Sequence, residues 1–336
     1  MTSVVSDAGE VAETSGYWFR EENSSDWMIT TRLKSLGKEV QSDFQHVRVI
    51  ETVPFGKTLV LDHKTQSSQN DEHVYHETLV HPTLLAHPNP KRVYIGGGGE
   101  MATAREVLRH KSVEQCVMVD IDKVVVDFAR TELQQWSEGT FEDPRLELVI
   151  GDAKSFLEKD DRAYDIIIMD IADPIEAGPG IALYCQEFYQ FLINSGRLAP
   201  GGFFVTQSGP GSFINVDECC STIHKTLRSA FNNVVCFQAD IPSFGSNWGF
   251  NVAFGGPADL ESFDKDVLSK INKDTKFMLN KSIDDIDKQI EERINGTLKF
   301  YDGVTHLGLF GIPLDMRIFL SKEERYMTLE NPVFMH

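Results

Sequence analysis

An α/β fold with a doubly wound, mostly parallel sheet is predicted for the central part of this 336-residue chain. Between Arg92 and Phe254, short apolar segments alternate with segments of helical periodicity, which is typical of open α/β sheets. Fully apolar segments such as Ile166–Ile168 indicate parallel strands that helices cover on both faces. We expect a small antiparallel β-domain before this region and a helical tail after it.

The antiparallel domain is predicted from the segment between Trp27 and about Ser68. Its apolar residues lie in short, roughly alternating runs, Phe44–Ile50 and Thr58–Leu61, with a turn at Pro54–Gly56 between them. Runs separated by such a turn are typical of a β-hairpin. The predicted organisation is a disordered leader (1–20), an N-terminal β-hairpin domain (21–80), an α/β domain (81–256) and a C-terminal tail (257–336).

The elements of the α/β domain follow from the same patterns. The predicted strands are Val93–Ile95, Cys116–Val119, Leu146–Ile150, Ile166–Met169, Phe203–Thr206, Val234–Phe237 and Gly249–Phe254. The predicted helices are Thr103–His110, Lys123–Gln135, Ala153–Lys159, Glu187–Ser195 and Val216–Phe231. Because no helix is evident between the last two strands, they should pair antiparallel and close one edge of the sheet.

The tail is predicted to contain an amphipathic helix. Four isoleucines recur there at helical spacing: Ile283, Ile286, Ile290 and Ile294. Ser282 followed by Asp285 resembles a capping box, and Gly296 lies just beyond the end of the pattern. We expect this helix to pack on the core or on another subunit.

The composition narrows the classes of function. A formal net charge of −19 argues against nucleic-acid binding and favours a cationic substrate, although charge also serves solubility alone. No apolar run approaches the roughly 20 residues that span a bilayer, so no membrane association is expected. The acidic N-terminus resembles no signal peptide, and five cysteines without a CxxC pair indicate reducing conditions, without disulfides or zinc. We therefore expect a cytoplasmic protein.

The strongest local motif is Val93–Glu100, in which a strand leads through four glycines, including Gly97 and Gly99, towards a helix. Such a turn lets a ligand approach the backbone closely. Asp120 ends the second strand, where a carboxylate would accept hydrogen bonds from a ribose. These features suit NAD and S-adenosyl ligands equally. Glu100 would repel a pyrophosphate and attract a cationic ligand, or it is simply a favourable charge at the start of a helix.

Further acids follow the next two strands. Asp152 comes after the third strand, where it could accept a hydrogen bond from an adenine amino group or act as an ordinary helix N-cap. Asp170 and Asp173 follow the fourth strand in an Asp-x-x-Asp-Pro motif that alone would usually be a turn. Ligands in open α/β sheets bind beyond the carboxyl ends of strands. Acids at four successive strand ends therefore predict a cleft for a cationic ligand.

Together these motifs resemble the spermidine/spermine synthase family of aminopropyltransferases over about residues 27–254. The motifs are Gln45, Leu59–Asp62, Gln66, Asp71–Glu72, Tyr75–Glu77, Gly97–Glu100 and Asp170–Pro174. The resemblance implies a methyltransferase-like (Rossmann-like) α/β domain, with decarboxylated S-adenosylmethionine as the donor and a polyamine as the acceptor. It also implies a homodimer or homotetramer that needs no metal and no cofactor, since the donor is a co-substrate.

The resemblance also implies roles for individual residues. It places the donor against Gln45, Gln66, Gly97, Gly99, Glu100, Asp120, Ile121, Asp152 and Ala153. It places the acceptor against Tyr75, His76, Asp170, Asp173, Phe244 and Trp248. Asp170, beside Tyr75, would help to deprotonate the attacking amine, because a protonated amine has no lone pair with which to attack. Phe244 and Trp248 would form an aromatic wall for the acceptor methylenes, or they are core aromatics.

Several details resemble the thermospermine-forming branch of this family in plants and algae. Glu100 stands where spermidine synthases generally have Asp, and the loop Asp173–Tyr184 is two residues longer than theirs. Ile181 replaces a Glu that binds the far amine of putrescine, which would open the acceptor pocket to a longer polyamine. Val205–Pro210 and the Ile-rich tail also resemble this branch. Met101 departs from the family, which usually has Gly at this position, so the resemblance does not predict how the donor loop packs.

Other functions compete with this interpretation. A methyltransferase would share the fold but would not need Glu100, because that acid would repel the carboxylate of ordinary S-adenosylmethionine. A nicotinamide oxidoreductase would place a pyrophosphate over the same turn. A non-catalytic polyamine-binding protein would not need both Asp170 and Tyr75. Within the family, spermine and spermidine synthases share the mechanism, and the acceptor amine that attacks decides between spermine and thermospermine.

Overall fold

The computed structural model describes residues 16–23, 27–174, 178, 180–259, 263 and 265–335. The strands are β1 (Trp18–Glu22), β2 (Met28–Gln41), β3 (His46–Thr52), β4 (Gly56–Leu61), β5 (Lys64–Ser68), β6 (Arg92–Gly97), β7 (Gln115–Asp120), β8 (Leu146–Ile150), β9 (Tyr164–Asp170), β10 (Leu198–Pro210), β11 (Phe231–Ile241) and β12 (Ser246–Pro257). The helices are α1 (Glu72–Ala86), α2 (Ala102–Leu108), α3 (Lys123–Thr131), α4 (Gln134–Ser137), α5 (Ala153–Lys159), α6 (Gln186–Asn194), α7 (Cys220–Arg228), α8 (Val267–Met278), α9 (Ile283–Arg293), α10 (Gly303–Phe310) and α11 (Leu314–Lys322).

The N-terminal strands form an antiparallel sheet in chain order, β1-β2-β3-β4-β5. The predicted hairpin is the β3–β4 pair, in which Thr52 lies opposite Gly56. Alternate side chains of this pair, Val47, Val49 and Leu59, pack against helices α2 to α4 of the next domain. This packing fixes the small sheet over the carboxyl edge of the larger one.

The second sheet has the order β11-β12-β10-β9-β6-β7-β8. Strands β10, β9, β6, β7 and β8 are parallel, and β12 pairs antiparallel with both β10 and β11. The predicted doubly wound sheet and its antiparallel edge are therefore confirmed. All carboxyl ends of the parallel strands meet at one edge, where a cleft opens.

Two of the predicted domain limits differ from the structure. Trp18–Glu22 is strand β1, so the predicted leader extends too far; residues 1–15 lie outside the described part. The predicted limit between residues 80 and 81 falls inside α1, which packs against α2 and the larger sheet. The sequence pattern missed α1 because the helix is buried on nearly all sides and carries no amphipathic stripe.

Two predicted helices are shorter than expected. The segment predicted as Lys123–Gln135 is divided into α3 and α4, because Leu133 turns into the core between them. Helix α7 begins at Cys220 and ends at Arg228, and strand β11 starts at Phe231. The residues from Val216 to Cys219 form turns before α7, and an apolar pattern cannot distinguish such turns from helix.

The tail packs on the α/β domain through α1. Helix α9 has the predicted capping box between Ser282 and Asp285, and its Ile286 is buried. The Glu77 carboxylate of α1 accepts three backbone N–H groups of residues 299–301, each at 2.8 Å. Across the described ranges, no helix has the length and apolar character needed to cross a membrane. All five cysteines are buried and free.

Candidate active site

A cleft of about 410 Å³ lies between the carboxyl edge of the larger sheet and the N-terminal sheet. It is lined by all of the predicted donor and acceptor residues except His76. The structure therefore brings together residues that the sequence separates by up to about 200 positions. Their roles as donor and acceptor ligands remain predictions.

The glycine turn after β6 leaves no room for side chains. Gly97 has φ +83°, and a Cβ there would overlap the backbone carbonyl of Asp170. A Cβ on Gly99 would lie 2.8 Å from Asp120 Oδ2, which instead accepts the Gly99 N–H at 2.9 Å. The backbone of Met101 is left-handed, with φ +78°. For a residue with a Cβ this conformation costs on the order of 1–2 kcal/mol, a cost that a glycine would not have. The side chain of Met101 is fully buried in the core.

The donor end of the cleft is built around Asp120. Its carboxylate also accepts the N–H of Asp122 at 2.8 Å, and burial raises its pKa to about 7, with Glu100 nearby adding to the shift. Asp152 is the N-cap of α5, accepting the Ser155 N–H, and it also lines the cleft, while its contact with an adenine stays a prediction.

Two glutamines extend the donor end into the N-terminal domain. Gln45 Nε2 donates to Asp122 Oδ2 at 3.0 Å. Gln66 lies on strand β5 and lines the cleft. Because Asp122 caps helix α3 through the Val124 N–H, this bond ties the small sheet to the donor end. A ligand seated there would contact both domains.

Asp170, at the end of β9, is held by two hydroxyl groups. Tyr75 donates to Oδ1 at 2.7 Å and Thr103 donates to Oδ2. Burial, followed by the negative charge of Glu100, raises the pKa of Asp170 to about 6. Burial and the Asp170 charge raise the pKa of the Tyr75 phenol well above its ordinary value, so the phenol keeps its proton. Asp170 is therefore the group that can accept a proton, and Tyr75 orients it.

His76 lies behind the cleft and not in it, which corrects its predicted contact with the acceptor. Its ring is fully buried, with Nε2 3.1 Å from Glu100 Oε1 and Nδ1 2.9 Å from Glu72 Oε2. Because carboxylates only accept hydrogen bonds, both ring nitrogens donate and the ring is a cation. Burial opposes this charge, but bonds to Glu100 and Glu72 raise the His76 pKa to about 10.

A chain of buried charges continues from His76 between α1 and α2. Arg105 binds Glu72 with two nitrogens, at 3.1 and 2.9 Å, and binds Glu106 at 2.7 Å. Glu106 in turn contacts His81 at 3.1 Å. Buried charges are tolerated when each has a partner of opposite sign, and each charged residue in this series contacts one. Glu100 is thus fixed from inside the protein.

The acceptor end of the cleft combines an acid with aromatic rings. Asp173 Oδ1 accepts from Gln207 Nε2 at 3.0 Å, and burial raises its pKa to about 6. Gln207 Oε1 accepts from Trp248 Nε1 at 3.0 Å, and the rings of Trp248 and Phe244 meet edge to face at 4.7 Å. The aromatic pair lines the cleft, as its predicted role requires.

Sequence reasoning missed several residues that line the cleft, among them Glu21, Asn23, Lys64, Gln207 and Met335. Glu21 lies on β1, accepts the Thr65 N–H at 3.1 Å and has its pKa raised by burial. Ile181, predicted to open the acceptor pocket, packs into the core near α6, and Leu183 lines the cleft instead. Part of the argument for a longer acceptor therefore does not hold.

The ligand atoms of His76, Glu100 and Asp170 lie within 4.8 Å of one another, a spacing that could hold a metal ion. However, both nitrogens of His76 already bind carboxylates, so this ring has no lone pair to give a metal. The two carboxylates that face the cleft can instead bind a protonated amine. The chemistry of the site is that of a cation-binding cleft whose buried carboxylates, Asp120, Asp170 and Asp173, have raised pKa values and can accept protons.

Comparison with known proteins agrees with this geometry. Residues 72–261 match the family model "Spermine/spermidine synthase domain", and residues 17–69 match "Spermidine synthase tetramerisation domain". The chain is 38% identical to thermospermine synthase ACAULIS5 of Arabidopsis thaliana over 95% of its length and 88% of that protein. It is 40% identical to a polyamine aminopropyltransferase of Aeropyrum pernix over 95% of both chains.

Solved structures lead to the same family. Spermidine synthase of Thermotoga maritima superposes with a TM-score of 0.76 at 26% identity, over 94% of this chain and 98% of that one. A spermidine synthase in complex with the transition-state analogue AdoDATO superposes with a TM-score of 0.77 at 26% identity and the same coverage. The acids at the strand ends, the two domains and these matches agree, and the chain belongs to the spermine/spermidine synthase family of polyamine aminopropyltransferases.

Proposed function

We propose that this enzyme transfers the aminopropyl group of decarboxylated S-adenosylmethionine to spermidine and releases thermospermine and 5′-methylthioadenosine. The observation that carries the proposal is the position of Asp170, which lies next to Glu100 and lines one cleft together with Asp173. The similarity to a plant protein named thermospermine synthase supports the choice of product.

The reaction follows from the groups around Asp170. The protonated acceptor amine loses a proton to the Asp170 carboxylate, which Tyr75 and Thr103 hold in place. The freed lone pair forms a bond to the donor carbon next to the sulfonium, and the carbon–sulfur bond breaks with its electron pair going to sulfur. The sulfonium becomes a neutral thioether, so the leaving group needs no further proton. Placement of amine and carbon in line supplies the rest of the rate.

The charges of the cleft favour cations overall, since among the described residues seven acids line it against one base, Lys64, whose charge acts on Asp173 and Glu21. Glu100 would pair with the amine of the decarboxylated donor, and ordinary S-adenosylmethionine would bring a carboxylate against it. Asp173 and Glu21 would bind the remote amines of the acceptor, with Phe244 and Trp248 against its methylenes. The paired nitrogens of His76 favour an amine over a metal beside Glu100, and the proposed chemistry uses no cofactor.

The proposed enzyme is an oligomer in the cytoplasm. Residues 17–69 match the tetramerisation domain model, and strands β1 and β2 of this sheet carry the exposed apolar side chains Trp18 and Met28. Large exposed apolar groups clustered in one domain are typical of interfaces. A homodimer or homotetramer would cover them.

Identification of the product tests the proposal. Purified protein is incubated with decarboxylated S-adenosylmethionine and either putrescine or spermidine, and the amines are separated by chromatography that resolves spermine from thermospermine. We expect thermospermine from spermidine and little product from putrescine. Spermine, or spermidine from putrescine, would contradict the proposed acceptor end. Failure to release methylthioadenosine with either amine would contradict the reaction.

A further inference from the structure

The end of the tail reaches the acceptor end of the cleft. The C-terminal segment, defined here as Met327–Met335, leaves the region of α11 and runs past α6 and α7. Met335 lines the cleft together with Asp173, although it lies outside the matched family domains. No motif in the sequence connected this residue with the site.

The C-terminal segment is anchored along its path. Met327 is fully buried, its N–H donates to Thr226 Oγ1 at 2.9 Å, and its carbonyl accepts the Gln186 N–H at 2.9 Å. The Leu329 N–H lies 3.2 Å from both carboxylate oxygens of Glu187. These bonds hold the segment against the start of α6 and the middle of α7. They fix the position of the part of the segment that precedes Met335.

Met335 contacts the backbone that carries the acceptor acid. Its N–H donates to the carbonyl of Pro174 at 2.8 Å, and Pro174 directly follows Asp173. Its Sδ lies 3.9 Å from Cys219 Sγ. Cys219 and Asp173 both border Gly209, where a Cβ would lie 3.2 Å from Asp173 Oδ1. Met335 therefore lines the cleft close to the backbone of Asp173 and Pro174.

We propose that Met335 is a specificity-determining residue that limits the length of the polyamine acceptor. An unbranched thioether offers an apolar, adaptable wall to methylenes and offers no charge to an amine. A longer acceptor would have to displace this side chain, whereas the anchored C-terminal segment resists displacement. The inference rests on the proposed function, because it assigns the Asp173 end of the cleft to the acceptor.

The test uses three triamines that differ by one methylene each: norspermidine, spermidine and homospermidine. The full-length enzyme is compared with Met335→Ala, with a truncation after Asn331, and with Phe334→Ala as a control from the same segment that does not line the cleft. kcat/KM is measured for each amine at saturating donor, and thermal unfolding confirms that each variant is folded.

We expect Met335→Ala to raise kcat/KM for homospermidine by on the order of fourfold relative to spermidine, the value of burying one further methylene, and by about 15-fold relative to norspermidine, which is two methylenes shorter. The truncation should shift the ratio in the same direction, and Phe334→Ala should leave it unchanged. Unchanged ratios in Met335→Ala, or an equal loss for all three amines, would overturn the inference. A wild-type enzyme that makes spermine from spermidine would refute the proposed product and leave this ratio test valid.

Discussion

Replacement of Asp170 by Asn is expected to lower kcat by about 10²–10⁴-fold, the usual contribution of a positioned proton acceptor. The amide keeps the shape of the side chain and can still accept the Tyr75 hydroxyl bond, but it cannot take a proton from the amine. Because the ionised carboxylate is needed, kcat/KM of the wild type should fall as the pH drops below about 6, the pKa of Asp170 in the free enzyme. Steady-state rates of methylthioadenosine release across this pH range measure both effects.

The matched control for this variant is Asp165→Asn, on the same strand but at its opposite end. Asp165 accepts the N–H groups of Lys91 and Arg92 at 2.7 and 2.9 Å, bonds that an Asn oxygen can retain. Its kcat should equal that of the wild type, and both variants should bind methylthioadenosine normally by calorimetry. Full activity of Asp170→Asn would reject Asp170 as the proton acceptor.

Replacement of Glu100 by Gln should raise KM for decarboxylated S-adenosylmethionine by about 10–100-fold. A hydrogen bond to a charged group is worth about 1.5–3 kcal/mol, and the variant removes the charge that faces the donor amine. The variant should also tolerate ordinary S-adenosylmethionine better, since the donor carboxylate no longer meets an acid. The measurements are KM for the donor and the inhibition constant of S-adenosylmethionine.

Asp127→Asn is a suitable control for Glu100→Gln, because it removes an exposed acid that pairs with Lys123 on helix α3. Its KM for the donor should not change, which separates the local charge from the net charge of the protein. A donor KM that is the same in Glu100→Gln and wild type would place the donor amine elsewhere. Equal changes in both variants would indicate long-range attraction alone.

The sheet and its strand-end acids could be predicted because their signals are local. An apolar strand that ends in an acid, as at Asp120 and Asp170, indicates a carboxylate at the carboxyl edge of a parallel sheet, where ligands bind. The capping box of α9 is likewise contained in four residues. These features need no knowledge of distant contacts.

Helix α1 could not be predicted in this way, because its buried face includes charged residues. Glu72 and His81 occupy positions that an amphipathic pattern assigns to solvent, and they are buried only because Arg105 and Glu106 lie opposite them. The resemblance to the family placed His76 against the acceptor, whereas the structure uses it to hold Glu100. Pairing of buried charges is a long-range property.

Two residues near the acceptor end were missed because their contacts are also long-range. Glu21 and Met335 lie near opposite ends of the chain and meet the cleft only through the N-terminal sheet and the C-terminal segment. Neither residue belongs to a motif with fixed spacing. The residues proposed to bind the remote part of the polyamine are thus less visible in the sequence than those predicted to bind the donor.

The crystal structure of the enzyme with methylthioadenosine and spermidine would test the central claim most directly. We predict the nucleoside against Gln45, Asp120 and Asp152, and one terminal amine of spermidine within hydrogen-bond distance of Asp170, with its chain extending towards Asp173. In the thermospermine orientation, that amine belongs to the aminopropyl end. A nucleoside outside the cleft, or a spermidine whose amines all lie away from Asp170, would contradict the account.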